Sequence, residues 1–146
     1  MSSELIIRVR DVMNEEFDLV SGMATVAEVL KNSKFPESKC FVVDRRNEND
    51  EYGVVLLSDI AKKVLACNKS TERTNIYEIM SKPAISIDPD MNIRYCARLF
   101  ESFGLGRAPV IENKKVIGVI GYSDMVLRGL RDRITQESEA PADDNT

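Results

Sequence analysis

Apolar and polar positions alternate along this chain in blocks, and one order of blocks occurs twice. Residues 41–43 and 52–57 are β-branched and apolar runs flanking a charged stretch at 44–51, the pattern of two strands and a turn. Ser58 and Asp59 then open a run to about residue 66 whose spacing predicts a helix with a carboxylate on its first turn. Residues 109–111 and 116–122 repeat this design around a shorter turn at 112–115, and Ser123 and Asp124 open a second helix at 125–130. Upstream of each hairpin lies another shared series. Residues 9–13 lead into a strand at 17–20, and Thr25 with Glu28 forms a capping-box pattern before a helix with Val26, Val29 and Leu30 on one face. Residues 76–80 lead into a strand at 84–87, followed by Ile93, Cys96, Ala97 and Phe100 at helical spacing. The upstream series stand 67 positions apart and the Ser-Asp pairs 65 apart. The two missing positions fall in the turn, where length changes are tolerated.

This recurrence predicts an α/β fold of two β-α-β-β-α repeats, 9–66 and 76–131, joined by a polar linker at 67–75. In each repeat a helix joins the first strand to the hairpin, which calls for a crossover connection. A repeat of roughly 55 residues is marginal alone, so the two are expected to pack sheet to sheet about a pseudo-twofold axis. Residues 132–146 are expected to be an acidic, disordered tail.

Composition narrows the function. The net charge is −4, but Glu137, Glu139, Asp143 and Asp144 supply it all, leaving a neutral body without the basic stripe that nucleic acid requires. Three widely spaced cysteines, no Cys-x-x-Cys and no histidine argue against a zinc site or disulfide framework. With no apolar leader and no run of about 18 apolar residues, a cytoplasmic protein with no membrane partner is expected. No nucleophile motif, Walker loop or metal-ligand cluster is present, so no enzyme is expected. Apolar helix positions Ile60, Val64, Leu65, Met125, Val126 and Leu130 exceed what the repeats' own cores need and predict a homodimer through these helices.

The ordered pieces carry a resemblance. Val9-Arg10-Asp11-Val12-Met13 precedes a short strand and a capped helix. Then come Gly106-Arg107-Ala108-Pro109-Val110-Ile111 and Ile117-Gly118-Val119-Ile120-Gly121-Tyr122-Ser123-Asp124. Duplicated over residues 9–131, this resembles a tandem CBS-domain pair, or Bateman module, and so a stand-alone CBS domain-containing protein. The resemblance implies a non-catalytic regulatory module that binds an adenine nucleotide of the AMP, ADP or ATP class between the repeats. Such a module requires no cofactor, serves energy sensing, and signals to an unidentified effector protein by changing its conformation or assembly. The alternative is a dimerisation scaffold whose clefts have lost their ligand.

The same resemblance nominates site residues. Asp124 and Asp59 would accept the ribose hydroxyls, since a carboxylate offers two acceptors to a diol; either aspartate also suits a plain helix cap. The family's Thr-x-x-Asp is altered twice, with Gly121 and Leu56 at the threonine position. Gly121 is expected to leave ligand space and Leu56 to crowd it, which favours the Asp124 cleft. Arg107, with Lys39 at the corresponding place in the first repeat, would reach phosphates. The adenine would lie along Ala84, Ile85 and Ser86 or along residues 17–19. Ser123, Tyr122, Ala108, Pro109, Ser58 and Cys40 complete the set of neighbours, Cys40 equally fitting a buried inert thiol. The sequence leaves open which nucleotide binds and how the repeats share each cleft.

Overall fold

The structure is a computed structural model that describes residues 6–139. The hairpins form where the apolar runs place them. Strands β1 (Asp18–Val20), β2 (Cys40–Val43) and β3 (Gly53–Leu56) make one sheet, β1 parallel to β2 and β2 antiparallel to β3. Strands β4 (Arg107–Glu112) and β5 (Lys115–Gly121) make the second as an antiparallel pair. Helix α1 (Val9–Val12) precedes β1, and α2 (Val26–Lys31) is the crossover to β2. The capping box of α2 is formed: Glu28 N–H donates to Thr25 Oγ1 at 3.1 Å and Thr25 N–H to Glu28 Oε1 at 2.8 Å. Helix α3 (Leu57–Ile60) continues as a π-helical turn, Ala61–Leu65. Helix α4 (Ile93–Phe103) precedes β4, and a π-helical segment, Asp124–Arg131, runs into α5 (Asp132–Glu139).

Two expectations are corrected. Residues 84–87 are not a strand. Ile87 makes one parallel bridge to Val110, while Ala84 N–H is held by Tyr52 O at 2.8 Å. The segment crosses from the edge of one sheet to the edge of the other, so it cannot run along either. The second correction is the start of the tail, which is helical to Glu139. No breaker precedes Pro141, and Arg133 pairs with Glu137 one turn on, at 3.2 Å. Residues 140–146 of the expected disordered tail lie outside the described residues.

The repeats are exchanged rather than merely adjacent. Asn14 bridges Val119 of β5 with N–H donors in both directions (2.8 and 2.9 Å), and Ser81, its counterpart, bridges Val54 of β3 likewise (2.9 and 3.0 Å). Val9 N–H bonds Met91 O at 2.9 Å, and Ile76 N–H bonds Ala24 O at 2.8 Å. Arg128 Nη1 donates to Met13 O at 2.9 Å, and Lys63 Nζ to Ile79 O at 3.1 Å. Each lead-in therefore closes the other repeat, which fixes the pseudo-twofold.

Burial follows the exchange. Val9, Val12 and Met13 pack with Ile93, Cys96, Phe100 and Val110, whereas Ile76 and Ile79 pack with Val26, Val29, Phe41 and Val55. A third core, with Cys40, Val42, Tyr52, Val54 and Val119, joins the sheets. Burying one such aliphatic side chain contributes about 1.5–3 kcal/mol, so neither repeat keeps a full core without the other's lead-in. The two hairpin glycines have a structural reason. A Cβ on Gly118 would stand 2.8 Å from Met13 Sδ and 3.0 Å from Asn14 O, and one on Gly53 3.1 Å from Met80 Sδ and 3.2 Å from Ser81 O. Side chains there would push the exchanged lead-ins away.

Candidate functional site

The strand-to-helix corners place Asp124 and Asp59 alike. Gly121 N–H donates to Asp124 Oδ2 at 2.9 Å, and Leu56 N–H donates to Asp59 Oδ2 at 2.8 Å. Each carboxylate ties the end of its strand to the first helical turn. The two corners differ in what faces the carboxylate.

At the second corner Arg107 folds back over Asp124. Its Nη1 lies 3.5 Å from Asp124 Oδ2, and both terminal nitrogens lie 3.4 Å from Ser123 Oγ. Both charged side chains are largely sheltered, 14% and 16% exposed. The guanidinium occupies the space that a Cβ on Gly121 would need. The expectation that Gly121 leaves ligand space is thus corrected: Arg107 fills it. Strand register brings them together, because Arg107 is paired directly across from Gly121.

At the first corner the residue across from Leu56 is Cys40. Cys40, not Lys39, is therefore the counterpart of Arg107. Lys39 stands one residue earlier in the left-handed region, φ 62°, as the counterpart of Gly106. The reason is that the first hairpin strands, β2 and β4, keep the 67-position offset of the lead-ins, and the offset falls to 65 only after the turn. Cys40 is buried, and burial pushes its thiol up to about 11 against the pull of the Arg107 charge. It is an inert thiol within the field of the Arg107–Asp124 pair.

The remaining nominated residues divide. Lys39, Ser58 and Arg107 line one cleft of about 370 Å³, with Pro36, Leu56 and Gly106. The first repeat's hairpin and helix corner thus face the approach to β4. Leu56 leans across, 3.3 Å from where a Cβ on Gly106 would stand. Tyr122 turns away: it meets Phe100 edge to face, centroids 5.4 Å apart, and lines an apolar groove with Ile93 and Val126. The Ala108 side chain is buried in the core beneath α4, and the Pro109 carbonyl accepts Ile87 N–H. Ala84 belongs to the inter-sheet core, while Ile85 and Ser86 are exposed and do not line the cleft. Ala84, Ile85, Ser86, Ala108 and Tyr122 are thus not brought to Asp124 as expected, because 84–87 is a crossover and the strand alternation turns Ala108 to the core.

Sequence reasoning missed Asp18. Its carboxylate accepts Ser33 Oγ at 2.7 Å, Lys34 N–H at 2.9 Å and Phe35 N–H at 3.3 Å, fixing the loop that carries Lys39. An acid inside an apolar strand pattern was the available signal. Val64 and Met125 are core rather than surplus surface; the exposed apolar side chains of these helices are Leu57, Leu65, Val126, Leu127 and Leu130, with Tyr122 and Ile134. Among the described residues no helix is long and apolar enough to cross a membrane, and no cluster of three His, Cys, Asp or Glu could hold a metal.

The CBS domain family model matches residues 76–130. The solved structure of a hexameric CBS-CP12 protein from bloom-forming cyanobacteria is 31% identical, covers 92% of this chain and 83% of its own, and superposes with a TM-score of 0.81. A CBS domain pair in complex with 5′-methylthioadenosine and S-adenosyl-L-methionine shares the fold, with a TM-score of 0.69 at 20% identity over 92% of this chain and all of that one. A curated protein of Methanopyrus kandleri is 29% identical over 111 residues, 75% of this chain but 57% of its own length, so the chain spans little more than half of that relative. With both hairpins, the exchanged lead-ins and these likenesses in agreement, the chain belongs to the CBS-domain family, as a pair of CBS repeats.

Proposed function

We propose that this CBS pair is a non-catalytic regulatory module that takes an adenine nucleotide, AMP, ADP or ATP, at the Asp124 corner. The observation that carries this reading is the Arg107–Asp124 pair, sheltered and loosely closed at 3.5 Å, whose arginine lines a cleft together with Lys39 and Ser58. A phosphate offers Arg107 a doubly charged, fork-matched partner in place of one carboxylate. Drawing Arg107 onto phosphate bares Asp124 for the ribose hydroxyls. The ligand thus exchanges one ion pair for two sets of charge-assisted bonds, and the exchange moves the β4 approach against the first repeat. That movement is the signal passed to an effector protein. The adenosine-containing ligands of the CBS pair described above support the ligand class.

The exposed stripe Tyr122, Val126, Leu130 and Ile134, with i+4 spacing, serves homodimerisation. Two buried free thiols and one exposed suit a reducing, cytoplasmic setting. The test is thermal denaturation with AMP, ADP, ATP, S-adenosylmethionine and NAD, in parallel with light scattering. A ligand at 100 times its Kd adds about 2.7 kcal/mol. No shift with any of them at millimolar concentration refutes nucleotide binding. In that event the second reading holds, a dimerisation scaffold, favoured by one fact: Arg107 and Leu56 already fill the two threonine positions.

A further inference from the structure

The pseudo-twofold sets another pair of corners side by side, at the far end of each hairpin from the aspartates. Their equivalence is fixed by backbone bonds. Tyr77 N–H donates to Gly22 O at 2.9 Å, and Arg10 N–H to Pro89 O at 2.8 Å. Asp44 N–H donates to Val20 O at 2.8 Å, and Ile111 N–H to Ile87 O at 3.1 Å. Tyr77 therefore stands where the other corner has Arg10, Met23 where it has Asp90, and Arg45 where it has Glu112.

In the second repeat this corner is stitched shut. Arg10 Nε meets Asp90 Oδ1 at 2.8 Å and Arg10 Nη2 meets Glu112 Oε2 at 2.7 Å. Arg8 Nη1 adds a bond to Asp90 O at 2.6 Å. In the first repeat the three side chains that would make the stitch are an aromatic, a thioether and a lone cation. The corner stays open as a cleft of about 630 Å³, with Met23 71% and Tyr77 50% exposed. That volume is within the range of small-molecule sites, roughly 300–1,000 Å³.

The charge of the lining says what fits. Lys82 and Arg46 both reach Asp50, at 2.8 and 3.2 Å. Arg45 lies over the Tyr52 ring, 4.9 Å from its centroid, and among the described residues makes no ion pair. The cleft thus offers a stacked guanidinium that no carboxylate pairs with among the described residues, beside apolar surface from Met23, Met80 and Tyr77. Asp44 also lines the cleft, and its carboxylate accepts Arg45 N–H at 2.8 Å.

We propose that this open corner is a second ligand site, taking a small organic anion with a flat apolar body. The acid group pairs with Arg45, and the body lies between Met23 and Tyr77. The site stands at the C-terminal end of β2, whereas Lys39 and Leu56 stand at its other end, roughly 10 Å away along a four-residue strand. It does not depend on the nucleotide reading.

The probe is 8-anilinonaphthalene-1-sulfonate added to the full chain labelled with ¹³C-methyl methionine. Saturable shifts of the Met23 and Met80 methyl signals, with Met125 unmoved, are expected. Importing the stitch by Met23→Asp, Arg45→Glu and Tyr77→Arg together should weaken the dye about tenfold or more, read from Met80. Because that variant carries three changes, Arg45→Gln alone provides an independent arm. It should weaken the dye several-fold yet leave binding of the uncharged analogue N-phenyl-1-naphthylamine unchanged. Shifts confined to Met125 would put the dye in the Tyr122 groove and overturn the proposal. So would unmoved Met23 and Met80 signals, or equal affinity in Arg45→Gln. AMP moving Met23 and Met80 as the dye does, with the same dependence on Arg45, supports the site and adds nucleotides to its ligands.

Discussion

The two strand-to-helix corners have one backbone and two chemistries. Both hold an aspartate by the same N–H bond, 2.9 Å at Gly121 and 2.8 Å at Leu56. Across from one stands a guanidinium, across from the other a buried thiol. Leucine closes the first corner by bulk; glycine admits arginine to close the second by charge. On the proposed reading only the second closure is reopened by an anion, because a phosphate can replace the carboxylate as the partner of the guanidinium, whereas a leucine seated against Gly106 has no polar ligand to gain. Duplication thus kept the strand-to-helix bond of both aspartates, and the proposed function rests on the second alone.

The sharpest way to break this comparison is at the aspartates. Asp124→Asn keeps the helix-capping acceptor but removes the charge, and should weaken nucleotide binding about 10- to 100-fold, while Asp59→Asn changes it less than twofold. Titration calorimetry decides; equal losses at both sites would remove the distinction between the corners. Next in size is Gly121→Thr. The guanidinium must leave its seat, so the ligand-free chain should lose about 1–3 kcal/mol in urea denaturation. In an Arg107→Ala background the same change should cost far less, and additivity of the two substitutions would show that Arg107 does not occupy the seat.

Arg107→Ala alone tests the exchange of partners. ATP and ADP should weaken about tenfold, adenosine should bind no worse, and added salt should narrow the gap. A loss common to adenosine and ATP would contradict a phosphate role. The smallest effect concerns the thiols. Burial raises Cys40 and Cys96 each to about 11, so both stay protonated in the folded chain at pH 8.5 while Cys67 is exposed. Iodoacetamide should label Cys67 alone, read by mass spectrometry. Since these folded values lie above an ordinary thiol near 8.5, their contribution to stability is complete below that pH and is lost as pH rises toward 11. A melting temperature that climbs between pH 9 and 11 in a Cys67→Ser chain would contradict the burial of these thiols.

The repeat was legible in the sequence because hydrophobic period and offset are local quantities. Phe41, Val42 and Val43, the capping box at Thr25 and Glu28, and the paired Asp59 and Asp124 each announce their element within a few residues. So the duplicated α/β design and the aspartate corners were readable. What the lead-ins do was not: residues 9–13 and 76–80 read as openings of their own repeats, yet Val9 and Ile76 complete the opposite cores. A buried valine looks the same in sequence whichever core it fills. The one-residue shift that makes Cys40 rather than Lys39 the partner position of Arg107 is a matter of strand register, and register is set by cross-strand pairing that no single strand carries. Likewise 84–87 has the composition of a strand, but Tyr52 leads into β3 while Val110 lies in β4 of the other sheet, and the chain must cross between them. The seating of Arg107 in the place of a missing side chain joins a glycine and an arginine fourteen positions apart. The residue types and their periods were determined by the sequence alone; which of them face one another was decided only by the exchange of the two repeats, because contact across a pseudo-twofold is a property of the folded pair and not of either half.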